Sequence, residues 1–174
     1  MYSGLIFWGA LLLALIQPIS FAQAGSTSGE NDQCKRIRAK LMTVRVTEGC
    51  TSPVAFCAEG AITRDSWIQG KTEAIVLGLV PSVGLPGIEP ETTLAYAGDR
   101  TIMTSHGTLT LRFTGVFDTA RGEFSELERV TDGTEKLSGA TGTIYLTGRS
   151  SADGTSFEGD ITGFIRVAGS VRAQ

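Results

Sequence analysis

Hydrophobic and polar residues alternate with a period of two along most of this chain, the spacing of a half-buried β-strand rather than the 3.6-residue spacing of a helix. From Arg38 onward, Leu41, Thr43 and Arg45 alternate with Met42, Val44 and Val46 until Glu48-Gly49 breaks the run. A short second strand is expected over 58–63, turned by Arg64-Asp65-Ser66. A longer third strand is expected over 67–80, with Gly70 and Gly78 as bends. Residues 92–105 and 108–117 read as a hairpin turning at Ser105-His106-Gly107, where glycine supplies a positive φ. In its second arm Leu109, Leu111, Phe113 and Phe117 share a face with Gly115, while Thr108, Thr110, Arg112 and Thr114 take the other. A turn over 118–122 leads into a sixth strand over 123–131, and a seventh follows over 140–148. After Asp153-Gly154 the eighth covers 156–167, where Phe157, Ile161, Ile165 and Val167 alternate with Glu158, Asp160, Thr162 and Arg166.

Eight strands in order, short turns and no amphipathic segment long enough for a crossover helix make an all-β antiparallel meander. The stretch 130–146 carries Gly133, Gly139 and Gly142 beside β-branched residues, and Gly159 and Gly163 fall on the apolar face of the last strand. Glycines so placed let a sheet bend. The pattern therefore predicts an eight-stranded up-and-down β-barrel, closed so that no strand edge is left free. An open sandwich is the structural alternative. The exception to the alternation is 81–90, which holds three of the five prolines yet contains Val83, Leu85 and Ile88. It reads as a loop, either folded over one end of the core or lying as a lid on a ligand cavity.

The ends change the picture. Residues 5–16 are almost unbroken in apolar character and are followed by Pro18 and Ala22-Gln23-Ala24, an apolar run and a small-x-small site of the kind that ends a cleaved secretory signal. The run is shorter than the ~20 residues a spanning helix needs, so no stable membrane span is expected after processing. The expected organisation is a signal peptide over 1–24, a flexible leader over 25–33 and one barrel domain over 34–174. The destination is secreted or periplasmic. A formal charge of −3 and the lack of a long Lys/Arg block give no support for a nucleic-acid partner.

Three cysteines suit an exported protein with one bridge and one spare thiol. Cys50 and Cys57 bracket a Pro-containing turn that brings them within bridging range, and Cys34 is the alternative partner of either. One histidine and a C-x6-C spacing make a poor zinc site, so no metal is expected. Nor is any cofactor, because there is no phosphate-cradling loop and no dinucleotide fingerprint.

Candidate chemistry is sparse. His106 is the single histidine and sits in a turn, where an exposed residue is the default and a triad base is hard to arrange. Glu126 and Glu128 are two apart on one strand and share a face with Phe124 and Val130. If that face is inward, two carboxylates enter the lumen and at least one pKa rises. If Ser125, Leu127 and Arg129 point inward instead, both glutamates are solvated. Tyr96 is a further polar candidate on either face, whereas Arg112 belongs to the Thr-rich, outer face.

The run Val130-x-x-Gly133-Thr134-x-x-Leu137-x-Gly139-x-x-Gly142-x-Ile144 is similar to the glycine signature of the allene oxide cyclase and dirigent-like barrels. The wider chain resembles exported bacterial proteins of that superfamily. Asp132 and Glu135 stand where the signature prefers glycine, and Leu137 where it prefers Phe. The resemblance implies a calycin-like, allene oxide cyclase-like barrel and self-association as a homo-oligomer. It transfers no functional residue: the single asparagine, Asn31, lies in the leader.

Three functions stand open. One is a binding module holding a small apolar ligand in the barrel lumen, with Glu126, Glu128 and Tyr96 as the candidate ligand-binding residues. The second is a cofactor-independent cyclase or isomerase, in which a shaped cavity folds the substrate and an acid assists. The third is a purely structural domain. Inward carboxylates at the floor of an apolar lumen favour the enzyme, a roomy lumen without ionisable groups favours binding, and a filled lumen favours the structural domain.

Overall fold

The computed structural model describes residues 33–65, 67–82 and 92–167. Its strands are β1 (Gln33–Val46), β2 (Cys57–Thr63), β3 (Gly70–Pro81), β4 (Thr93–Thr104), β5 (Gly107–Asp118), β6 (Glu123–Gly133), β7 (Thr141–Ser150) and β8 (Ser156–Val167). Each pairs antiparallel with the next, and β1 pairs with β8 from Gln33 opposite Val167 to Val44 opposite Ser156. The sheet is therefore a closed eight-stranded barrel, as the alternation predicts, and the sandwich alternative is excluded.

Alternation decides what lies inside. Ile37, Ala39 and Leu41 of β1, Leu109, Leu111 and Phe113 of β5, Ile144 and Leu146 of β7, and Ile161 and Ile165 of β8 are all buried. Apart from Ala39, each such side chain contributes about 1.5–3 kcal/mol by leaving water. Arg112 points outward and pairs with Asp99. Two bulges adjust the register, one between Val76 and Gly78 on β3 and one opposite Thr110 and Leu111 on β6. The first leaves Leu77 without a ladder partner, and beyond it Leu79 contributes to the cavity lining while staying 42% exposed.

The two ends of the barrel differ. At the end where β1 begins and β8 finishes, Ile68, Leu137 and Ala140 pack onto Ile37, Ile102, Leu109 and Val167 and fill the interior. Leu137 belongs to a short 3-10 turn, Glu135–Leu137, that folds across this end. Gly139 follows with φ 70, a left-handed conformation that releases the chain from the turn at little cost in a residue without a Cβ. At the opposite end, carrying the β1–β2, β5–β6 and β7–β8 turns, no described residue closes the interior as Leu137 and Ile68 do.

Three expectations need correction. Gln33 is the first residue of β1, paired with Val167, and not the last of a leader. The third strand starts at Gly70 rather than at position 67, because the Asp65 carboxylate accepts hydrogen bonds from the backbone N–H groups of Trp67 and Ile68 and draws them into a turn. His106 is half-buried, not an exposed turn residue, since its ring stacks on Trp67 with centroids 4.8 Å apart. The bridge is Cys50–Cys57, with Cα atoms 5.6 Å apart, and Cys34 is an exposed free thiol. The signal segment over 1–24 and the loop residues Val83, Leu85 and Ile88 lie outside the described residues.

Candidate functional site

The hairpin β4–β5 and its neighbour β6 bring four polar side chains into an apolar interior. The two-residue turn Ser105-His106 sets Thr104 opposite Gly107, and that register carries Arg100 opposite Leu111 and Tyr96 opposite Gly115. Leu111 is an inward residue, so Arg100 is too. On the other side of β5, Gly115 faces Glu126 and Phe113 faces Glu128. Both glutamates and Tyr96 therefore point inward, which settles the facing that alternation alone leaves open.

The four groups form one network. Tyr96 Oη donates to Glu126 Oε1 at 2.8 Å. Arg100 Nη2 donates to Glu126 Oε2 at 2.9 Å, and Arg100 Nε donates to Glu128 Oε1 at 2.8 Å. The guanidinium also lies 5.5 Å from the centroid of the Phe113 ring, a cation–π arrangement. The Arg100 and Glu128 side chains are only 5% and 1% exposed. Gly115 makes room for the tyrosine: a Cβ there would come within 2.8 Å of Tyr96 Cζ and 2.9 Å of Oη.

One guanidinium cannot neutralise two buried carboxylates. Burial pushes the Glu128 carboxyl up to about 8; Arg100 opposes this, and the neighbouring Glu126 carboxylate and a hydrogen bond between the two carboxyls reinforce it. Glu128 accordingly holds a proton at neutral pH. Glu128 Oε2 has no hydrogen-bond partner among the described residues while the group is a carboxylate, and a proton there turns it into a donor. Burial, and next the charge of Glu126, hold the Tyr96 phenol well above its ordinary value, so it stays protonated. For Arg100 burial opposes the charge, but Glu128 and Glu126 outweigh it and raise the guanidinium further. The network is thus an Arg100–Glu126 ion pair flanked by a neutral acid and a neutral phenol.

Above this floor lies a cavity of about 290 Å³ reaching the end opposite Leu137. Phe56, Phe113, Phe117, Phe124 and Phe157 form much of its wall, and Tyr96, Arg100 and Glu126 form its floor. Glu128 is not among the lining residues and sits beneath them. At the rim Arg45 donates to the Ala55 carbonyl at 3.0 Å and lies over Phe56, with Asp153 nearby in the lining. The disulfide loop supports this rim: Ser52 Oγ donates to the Val76 carbonyl at 2.5 Å and accepts from the N–H groups of Val54 and Phe56.

Arg100 retains unused donors. Its Nε and Nη2 are engaged, but Nη1 makes no hydrogen bond among the described residues. The sealed side-chain atoms that lack a partner are Ser82 Oγ and Glu128 Oε2. Nη1 is not one of them, and Arg100 is a lining residue of the cavity.

Glu126, Glu128 and Tyr96 are brought together as one cluster, and Arg100 is the member that sequence reasoning missed. Its signal was parity with Tyr96 on β4, four residues away, combined with the turn position at Ser105-His106. His106 lies at the closed end, away from this cluster, with Ser105 Oγ 3.3 Å from Nδ1. Among the described residues no group of three or more His, Cys, Asp or Glu is placed to hold a metal ion. No helix among them is long and apolar enough to cross a membrane. The chain matches no family model, and no curated protein or solved structure is detectably similar to it.

Proposed function

We propose that this chain is an exported barrel, secreted or periplasmic, that binds a small, mainly apolar molecule in its lumen. The observation that carries the reading is the aromatic-walled cavity of about 290 Å³, uncovered at one end among the described residues and floored by Tyr96, Arg100 and Glu126. A concave apolar site with a few convergent polar groups is the usual form of a small-molecule pocket. Export is supported by the apolar N-terminal run, its small-x-small site and a disulfide suited to an oxidising compartment. Membership of the allene oxide cyclase and dirigent-like barrels, and self-association, belong to the same proposal; the glycine-bearing stretch 130–146, at the junction of β6 and β7, supports the first.

A second reading, a cofactor-independent cyclase or isomerase, is favoured by the inward carboxylates and by an acid that keeps its proton near neutral pH. Binding leads for two reasons. Glu126 has both oxygens engaged, and Glu128 lies beneath the lining where a ligand does not touch it.

The test is fluorescence titration with 2-acetyl-6-(dimethylamino)naphthalene, an uncharged two-ring ketone dye that brightens in apolar surroundings. The purified protein should bind it, and Ala74→Trp, which fills the cavity from β3, should abolish binding while the far-ultraviolet circular dichroism stays that of a β-barrel. No binding, or equal binding by both proteins, overturns the reading. Native mass spectrometry of the same preparation reports subunit number, and a mass matching the monomer alone counts against self-association.

A further inference from the structure

We propose that the lumen selects an uncharged two-ring molecule bearing one carbonyl-type oxygen, which accepts a hydrogen bond from Arg100 Nη1 at the cavity floor. This rests on the lumenal-binding reading and specifies what that lumen takes.

Size comes from the cavity. A cavity of about 150 Å³ holds a benzene molecule, so about 290 Å³ takes two fused rings with a small substituent. The walls agree, since Phe113, Phe117, Phe124 and Phe157 offer faces and edges to a flat partner.

The polar end follows from what the floor has left to give. Glu126 Oε1 and Oε2 are already taken by Tyr96 and Arg100, and the Tyr96 hydroxyl hydrogen is committed to Glu126. The donor without a partner among the described residues is Nη1, on a guanidinium whose position is fixed by two carboxyl hydrogen bonds and by the Phe113 ring. A donor on a charged group in an apolar setting makes a strong hydrogen bond to a carbonyl oxygen. A ligand without any acceptor would bury these N–H groups unpaired, which is unfavourable.

Charge follows from the balance of the network. Glu126 already matches the positive charge of Arg100, and Glu128 beneath it is neutral at pH 7. A ligand carboxylate would place a second negative charge against a single positive one in a low-dielectric site. A ligand cation would sit against Arg100 itself. At the rim Arg45 and Asp153 also present one charge of each sign. An uncharged oxygen acceptor is what this balance favours.

Three ligands of equal size separate these terms: 2-acetylnaphthalene, 2-naphthoate and 2-isopropylnaphthalene, each titrated at pH 7 as a competitor of 2-acetyl-6-(dimethylamino)naphthalene. The ketone should displace the dye at a concentration about tenfold or more below that needed of either the carboxylate or the hydrocarbon. The ranking is measured on the unaltered protein, so it does not depend on a variant folding. A carboxylate that competes as well as the ketone overturns the neutrality argument. A hydrocarbon that competes as well overturns the role of Nη1. If the dye itself does not bind, the lumenal reading fails instead, and the two failures are distinct.

Discussion

Glu128→Gln should make this protein more tolerant of alkaline pH, although it alters a buried group that accepts a hydrogen bond from Arg100. In the folded chain the Glu128 carboxyl holds its proton up to about pH 8, whereas an ordinary glutamate releases it near 4.5. Between those values the folded state binds more proton than the unfolded state. The associated stability is complete below about pH 4.5, declines as pH rises, and is gone above about 8. At 1.36 kcal/mol per pH unit the ceiling on this loss is about 5 kcal/mol. Relaxation around a buried charge and shared titration with Glu126 reduce it to about 2–4 kcal/mol. Glutamine keeps the acceptor for Arg100 Nε and places an amide N–H where the protonated oxygen stood. Urea unfolding of both proteins at intervals from pH 5 to pH 8.5 is the assay, with the disulfide kept oxidised. The two should agree within about 1 kcal/mol at pH 5, and the variant should lead by about 2–4 kcal/mol at pH 8.5. Every other titrating group is common to both, so the difference reports Glu128 together with its coupling to Glu126. A gap that is constant across the range, or one that widens towards acid, would refute the reasoning.

Other outcomes follow from single contacts. Gly115→Ala places a methyl against the Tyr96 ring and should destabilise by about 1–3 kcal/mol, with weaker dye binding as the tyrosine is pushed towards the cavity. Removing the Cys50–Cys57 bridge as a double serine variant should lower stability by about 2–3 kcal/mol by the chain-entropy argument for so short a loop; thiol titration of the intact protein should find Cys34 alone reactive. Glu135 sits at φ 53, so Glu135→Gly should raise the melting temperature, corresponding to about 0.5–1 kcal/mol, whereas Glu135→Ala should not.

The barrel was legible because its strands obey one rule over nearly the whole chain: apolar side chains inward, polar outward, with turns short enough to join neighbours. Where the reading slipped, a side chain competed with the sheet for the backbone. Asp65 does so at the start of β3 by capturing the N–H groups of Trp67 and Ile68. The site was harder, because its residues break the rule that reveals strands. Glu126 and Glu128 are polar but inward, so counting apolar residues on either face of β6 could not decide between them. What decides is the pairing across the four-residue turn at 119–122, which sets Phe117 opposite Phe124 and carries Glu126 and Glu128 along. Arg100 was hidden for a related reason. An arginine in a strand is ordinarily solvated, and only its register with Leu111 and the presence of two acidic partners on a strand further along make an inward position tolerable. At Glu135 the backbone takes a left-handed conformation that favours glycine.

Closure of the barrel places Gln33 beside Val167, at the end sealed by Leu137 and Ile68 and away from the aromatic mouth. Anything tethered to either end of the domain, such as a bead, a surface or a reporter protein, therefore leaves the mouth facing outward. The same adjacency would let a short peptide splice the old ends together while new ones are cut at 151–155, giving a permuted barrel whose free ends flank the entrance.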